Sequence, residues 1–433
     1  MPTSDVQTLA DRAAAALPRL LGLSGRARRE ALHAAVDALE AARGAVLEAA
    51  AADHAAAAER GRPPALLARL DVSEARFLHL TRSIRTLADL PDPIGERVSR
   101  WVRPNGLEIE RLRVPLGVVG VCAESRPTVL PLLAAACLKA GDAVLFVTDE
   151  EARATQQAFF AALLPALAGA GVPDGSVQWL SLPDPLAVAR ELVTLEDRID
   201  VALLRGRASF VRDLCEHATV PVLFRRDGIC HVYVDRDREN PDLFGRIRAT
   251  DLRQAVDIVL DSRLFEPYAA NAATVTLVHR DAADRFLPML AEAAAARGLE
   301  LRADERAAKF LPGAPRAEAG DFHRPPESLS LAVGVVDGLD EAAALINRNG
   351  ARLSDAIVTG CPEAADRFRR CVDSATVCVN ASTTFTGGAD FGMGAEIGLS
   401  TAKLDPRGAI GLAGLTSLKY VVRGDGQTRR NAP

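Results

Sequence analysis

From residue 5 to about 90, apolar positions recur at helical spacing. Leu32, Ala35, Val36, Leu39 and Ala42 follow the i, i+3, i+4, i+7 rule and lay one apolar stripe along a helix. Ser73, followed by Glu74 and Phe77, starts a further helix, and Pro91-Asp92-Pro93 stops it. The alanine tract at residues 48–58 favours helix but fills a core poorly, which predicts a surface helix. At Gly106 the pattern changes. Leu107, Ile109 and Leu112 lie among Glu108, Glu110 and Arg111 and predict a strand, and Val118-Val119-Gly120-Val121 is an apolar run fit for a buried strand. Strands then alternate with helices: strands at 143–147, 177–180, 201–204 and 220–224, helices near 151–169, 185–196 and 209–216. This βαβ rhythm implies a parallel sheet covered on both faces. A second α/β series runs from His231 to about 385, and Thr416–Val422 reads as one more strand before Arg423-Gly424-Asp425-Gly426.

A length of 433 residues implies two or three domains. Hydrophobic residues at 48% and charged residues at 25% are ordinary globular values and exclude a disordered chain. The formal net charge of −5 offers no basic field for nucleic acid. Only four of the 52 basic residues are lysines (Lys139, Lys309, Lys403 and Lys419), a skew from which no partner is drawn. No apolar window is long enough for a membrane span, and the N-terminus carries no signal-peptide pattern. Seven dispersed cysteines form no CxxC pair and no metal-ligand spacing. Reduced thiols in a cytoplasmic protein, without a metal site, are the expectation.

Several segments carry a resemblance. They are the PDPIGERV segment and its continuation to Gly120, Glu124-Ser125-Arg126-Pro127, Cys137-Leu138-Lys139-Ala140-Gly141, and Asp227 through Asp235 (DGICHVYVD). Val372-Asp373-Ser374, Val379-Asn380-Ala381-Ser382-Thr383, Phe391 through Ser400 and Leu418 through Gly426 complete the set. Together they resemble γ-glutamyl phosphate reductase, also called glutamate-5-semialdehyde dehydrogenase, of the aldehyde dehydrogenase superfamily. The resemblance spans residues 10–428. It implies an α/β, aldehyde dehydrogenase-like fold: an open parallel Rossmann-type cofactor domain, an α/β catalytic domain and a small β oligomerisation flap. The expected boundaries are 1–105 for the N-terminal helical part of the cofactor domain and 116–235 for dinucleotide binding. The catalytic domain would span 236–385, with a return segment at 386–409 and the flap at 106–115 and 410–433. Exposed flap strands need covering, so a homo-oligomer, dimer or tetramer, is expected.

The family reduces L-glutamyl 5-phosphate to glutamate 5-semialdehyde with NADPH in proline biosynthesis. A cysteine thiolate attacks the acyl carbonyl, phosphate leaves, and hydride reduces the thioester. The family segment of form R-x-G-V-C-N-x-x-E-T-L-L-V-H here reads from Glu266 to His279, with Asn271 and Leu277-Val278-His279 fixing the register. Ala270 therefore takes the nucleophile position, and a methyl group cannot attack a carbonyl. Cys230, Cys378 and Cys122 read as strand packing, with Cys378 the more open to a substitute role. The cofactor turn R-G-G-S-E-A becomes Val147-Thr148-Asp149-Glu150-Glu151-Ala152, which sets acidic residues where a 2′-phosphate is expected. The turn P-R-G-G becomes Leu204-Arg205-Gly206-Arg207, and a histidine of the family is Leu353.

By the same resemblance Glu124, Ser125 and Arg126 are substrate-binding candidates, and Arg126 would clamp a carboxylate or phosphate or fix a turn. Asn271 and Asn380 would stabilise an oxyanion or make local turn bonds. Thr148, Gly206 and Glu396 are candidates for binding NADP(H), with a helix cap the other reading of Glu396. Three functions follow as expectations. The first is a family member impaired in the thioester route. The second is a working reductase using direct hydride transfer or Cys378. The third is a non-catalytic partner for a ligand, glutamate 5-kinase or an active paralogue.

Overall fold

A computed structural model describes residues 4–124, 126–224, 229–236, 240–241, 247–248, 250–326, 328–388, 391–393, 398–403 and 406–429. Ser125 and Glu396 lie outside the described residues. The chain divides into two compact units. The first comprises residues 1–224, 393–398 and 410–433, and the second residues 225–392 and 399–409.

In the first unit, five parallel strands lie in the order Val177–Trp179, Ala143–Thr148, Val118–Ala123, Val201–Arg205, Val222–Phe224. The runs that read as continuous apolar sequence are the ones buried on both faces, as a covered parallel sheet requires. One face packs against helices that include Gly25–Ala41, Glu74–Asp89, Val129–Ala140 and Arg153–Gly169. The predicted stripe is there: Leu32, Ala35, Val36 and Leu39 are fully buried. The other face is covered by Asp5–Leu21, Pro185–Leu192 and Ala208–His217. Ser73 caps Glu74–Asp89 by accepting from Arg76 N, and the alanine tract forms Arg43–Glu59 with only Val46, Ala50 and Ala57 buried.

A separate antiparallel sheet in this unit runs Arg97–Val102, Glu108–Pro115, Thr416–Arg423. Its middle strand buries Glu110 between Arg97 and Arg423, which hold that carboxyl below the usual carboxylate range, Arg97 foremost. Trp101, Val102, Tyr420 and Val422 remain exposed on it.

The second unit holds six parallel strands in the order Glu300–Ala303, Ser330–Val336, Ala273–His279, Cys230–Val234, Ser354–Val358, Thr376–Val379. Leu252–Leu264 and Ala283–Ala295 cover one face, and Leu339–Asn349 and Pro362–Cys371 cover the other. Cys230–Val234, which the boundary expected at 235 leaves with the dinucleotide sheet, instead pairs with Ala273–His279 and Ser354–Val358 here. Among the described residues no helix is long and apolar enough to cross a membrane.

Candidate functional site

In the second unit, loop 266–271 joins helix Leu252–Leu264 to strand Ala273–His279, so it lies at the amino end of the sheet. Two turns shape it: Ala269 N donates to Glu266 O at 2.9 Å, and Ala272 N donates to Ala269 O at 3.3 Å. Arg263, 1% exposed, braces the loop from the helix. Its Nη1 donates to Pro267 O at 2.6 Å, its Nε to Ser330 O at 2.8 Å and its Nη2 to Ser328 O at 3.2 Å. Burial pulls the guanidinium below its usual value, and three carbonyl dipoles hold the charge in place. Ala270 rests on Cys230, Ala351, Leu353 and Leu399. The Cys230 thiol donates to Ala270 O at 3.4 Å.

Asn271 is adjacent to Ala270, but its amide is committed elsewhere. Nδ2 donates to Thr384 O at 3.2 Å and to Thr386 O at 3.4 Å, while Thr383 Oγ1 donates to Asn271 O at 2.6 Å. These bonds fasten segment 383–386 to the loop. Asn380 does not join them. It follows strand Thr376–Val379 and therefore sits at the carboxyl end of the sheet, where its Oδ1 accepts from Thr359 N and its Nδ2 donates to Thr359 O. Four residues of strand separate the two ends, roughly 13 Å at about 3.3 Å per residue. Asn271 and Asn380 thus occupy opposite ends of one parallel sheet, and each makes bonds to backbone groups.

Cys378 bonds with Thr386, whose carbonyl accepts from Asn271 Nδ2. It pairs with Ala356, whose other neighbour is Val232, and packs toward the helices Leu252–Leu264 and Ala283–Ala295. Burial pushes its thiol up to about 11, the wrong direction for a nucleophile near neutral pH. Cys122, in the first unit, is pushed up to about 12 by burial alone.

In the first unit, the strand order reverses between Val118–Ala123 and Val201–Arg205. The crevice beyond the carboxyl ends at such a reversal is where doubly wound sheets bind ligands. Glu124 and Arg207 meet there. Arg207 N donates to Glu124 Oε2 at 2.7 Å, and Arg207 Nη2 donates to Oε1 at 2.8 Å. A Cβ on Gly206 would lie 2.6 Å from Glu124 Oε2 and 2.7 Å from Phe210 Cδ1, so a side chain here would displace the carboxylate and the ring. Arg126 lies in the turn before helix Val129–Ala140, its carbonyl accepting from Val129 N at 3.2 Å. Thr148 ends its strand, its hydroxyl oxygen accepting from Trp179 Nε1 at 3.2 Å.

Two of the three acidic residues at 149–151 are paired with arginines. Arg153 binds Glu150 at 2.7 Å, and Arg60 and Arg62 both bind Glu151. Two guanidiniums thus share one carboxylate, with donors beyond those it occupies. Sequence reasoning passed over Arg60 and Arg62 because they flank Gly61, at φ 67°, beyond a helix with no other mark of function.

No family model matches the chain. It is 42% identical to the γ-glutamyl phosphate reductase of Moorella thermoacetica over 426 residues, 98% of this chain and 99% of that one. The crystal structure of γ-glutamyl phosphate reductase from Thermotoga maritima matches with a TM-score of 0.90 at 32% identity, over 98% of this chain and 100% of that one. An acetylating aldehyde dehydrogenase from Geobacillus thermoglucosidasius shares the fold, with a TM-score of 0.70 at 17% identity over 98% and 97% of the two chains. Full-length identity of this order, together with an aldehyde dehydrogenase-like architecture, places the chain: it belongs to the γ-glutamyl phosphate reductase family.

Proposed function

We propose that this protein keeps the binding scaffold of a γ-glutamyl phosphate reductase, the class that reduces L-glutamyl 5-phosphate to glutamate 5-semialdehyde in proline biosynthesis, and has lost its thioester route at Ala270. The observation that carries this reading is the alanine itself. It is followed without a gap by Asn271 and by the strand ending Leu277-Val278-His279, and it sits on a braced loop at the amino end of the sheet. The neighbouring thiol of Cys230 is buried and donates to a backbone carbonyl. Loss of a catalytic nucleophile costs about 10⁴–10⁶ in kcat, of order 5–8 kcal/mol of barrier. Positioning alone is not expected to recover that.

NADP(H), when bound, supplies the hydride. Arg60 and Arg62 would hold its phosphate groups, and the Glu124–Arg207 pair would border it at the strand reversal. Arg263 and Asn271 keep loop 266–271 in one conformation. Seven free cysteines support a cytoplasmic location. The exposed Trp101, Val102, Tyr420 and Val422 of the three-stranded sheet support a homo-oligomer, and equally support docking on a kinase or an active paralogue.

The test follows NADPH oxidation while a glutamate 5-kinase generates the acyl phosphate in the cuvette. The expected rate lies at least 10³-fold below that of a cysteine-bearing family enzyme. A comparable rate would establish a working reductase and end this reading.

A further inference from the structure

We propose that Arg352, Lys403 and Arg407, gathered around Asp373 in the second unit, form a binding site for the oxygens of a carboxylate or phosphate group. Lys403 Nζ lies 2.5 Å from Asp373 Oδ2, Arg407 Nη2 lies 2.9 Å from Oδ1, and Arg352 Nη1 lies 3.9 Å from Oδ2. Arg407 Nη2 also donates to the Asp373 carbonyl at 3.0 Å. Among the described residues one carboxylate faces three cations, an excess of two positive charges. The side chains of Lys403 and Arg352 are 57% and 40% exposed, so both are accessible from solvent. A second anion completes the charge balance that Asp373 begins.

The surrounding groups are engaged with one another. Asp355 accepts from His231 N and Nδ1, both at 2.8 Å, and from the Ser374 hydroxyl. Asn347 holds the preceding loop by accepting from Asp373 N at 2.8 Å and donating to Cys371 O at 2.7 Å. Asp373 is thereby fixed in space: Lys403 foremost, joined by Arg407, holds its carboxyl below the ordinary range against the opposing effect of burial.

Arg352 adds an independent sign. Its φ of 60° puts a long side chain in the left-handed region that favours glycine, and its carbonyl accepts from Ala375 N at 3.1 Å. Backbone strain of this kind persists where the direction of the side chain matters. Its neighbours Ala351 and Leu353 both pack with Ala270, so the cluster lies at the same end of the sheet as the candidate site. The inference stands whether or not the chain turns over an acyl phosphate.

Calorimetric titration of the full-length protein with inorganic phosphate and, separately, with L-glutamate tests it, with ionic strength held constant by chloride. Saturable binding of at least one anion is expected, weakened tenfold or more by both Arg352→Gly and Lys403→Met. Phosphate alone binding assigns a phosphoryl occupant, glutamate alone a carboxylate, and either result upholds the site. Arg352→Gly relieves a strained backbone, so its Tm should equal or exceed that of the wild type, which keeps a loss of binding interpretable. Absence of saturable binding by both anions, or equal affinity in wild type and both variants, overturns the proposal.

Discussion

The thiol of Cys230 donates to the carbonyl oxygen of Ala270 across 3.4 Å, so this sulfur meets the residue proposed for the nucleophile position through its backbone, not through a reacting group. Cys230 is 0% exposed, with its hydrogen turned toward that carbonyl. Restoring a side-chain thiol at 270 therefore adds a sulfur where Cys230 does not provide one. Ala270→Cys should raise NADPH-dependent turnover about 10³-fold or more, and the gain should survive in a Cys230→Ala background. Thiol labelling gives a second readout: the variant should carry one additional fast-reacting cysteine. No gain in both rate and labelling would show that position 270 does not open onto the reacting centre.

Selectivity for a 2′-phosphate should depend on the arginines that share Glu151. Arg62 is half-exposed and is the second guanidinium on a carboxylate that needs one. Arg62→Ala should weaken NADPH binding about tenfold, close to 1.4 kcal/mol, while leaving NADH binding nearly unchanged. Fluorescence titration of the two cofactors checks this, and an equal loss for both would assign Arg62 to packing.

Much of the fold was legible because parallel strands buried on both faces appear as unbroken apolar runs; Val118–Ala123 and Ala143–Thr148 are of this kind. Strand Arg97–Val102 escaped notice. Five of its six residues are exposed, so no alternation marks it, and its pairing with Glu108–Pro115 is the only reason it is a strand. The site was legible one residue at a time but not in its grouping. Asn271 precedes a strand and Asn380 follows one, and in a parallel sheet that difference places them at opposite ends. Sequence adjacency to a motif carries no information about which end of the sheet a loop occupies. The Arg352 cluster was hidden for a related reason, since its members come from three segments, distant in sequence, that gather around Asp373.

Arg263 should be a positioning residue whose loss is felt in the loop. Replacing it by Met removes three hydrogen bonds made by a charged donor and leaves the carbonyls of Pro267, Ser328 and Ser330 to find other partners. Arg263→Met should cost about 3–5 kcal/mol of unfolding free energy in urea. Arg263→Lys, able to reach one or two of the three acceptors, should recover part of it. Hydrogen exchange separates a loop brace from a general core residue: protection of the loop 266–271 amides should fall more than that of strand Ser330–Val336.

Asp142 sets a pH dependence that is open to direct measurement. It is fully buried at the amino end of the first unit's sheet, where its Oδ1 accepts from Gly117 N at 2.9 Å. Oδ2 has no hydrogen-bond partner among the described residues, and the Asp200 carboxylate, itself accepting from Val118 N at 2.8 Å, lies close by. Burial foremost, with Asp200 adding to it, pushes the Asp142 carboxyl well above the ordinary carboxylate range. The folded state therefore binds this proton more tightly than the unfolded chain does. Stability from that proton is complete below the unfolded-state value and is lost as pH rises through the raised folded-state value. Asp142→Asn keeps the acceptor for Gly117 N, carries no charge and turns its amide toward Asp200. Its Tm should match or trail that of the wild type near about pH 4 and exceed it near about pH 8, with the crossover inside that window. A difference in Tm that is constant across the window would mean that the Asp142 carboxyl binds its proton equally in the folded and unfolded states.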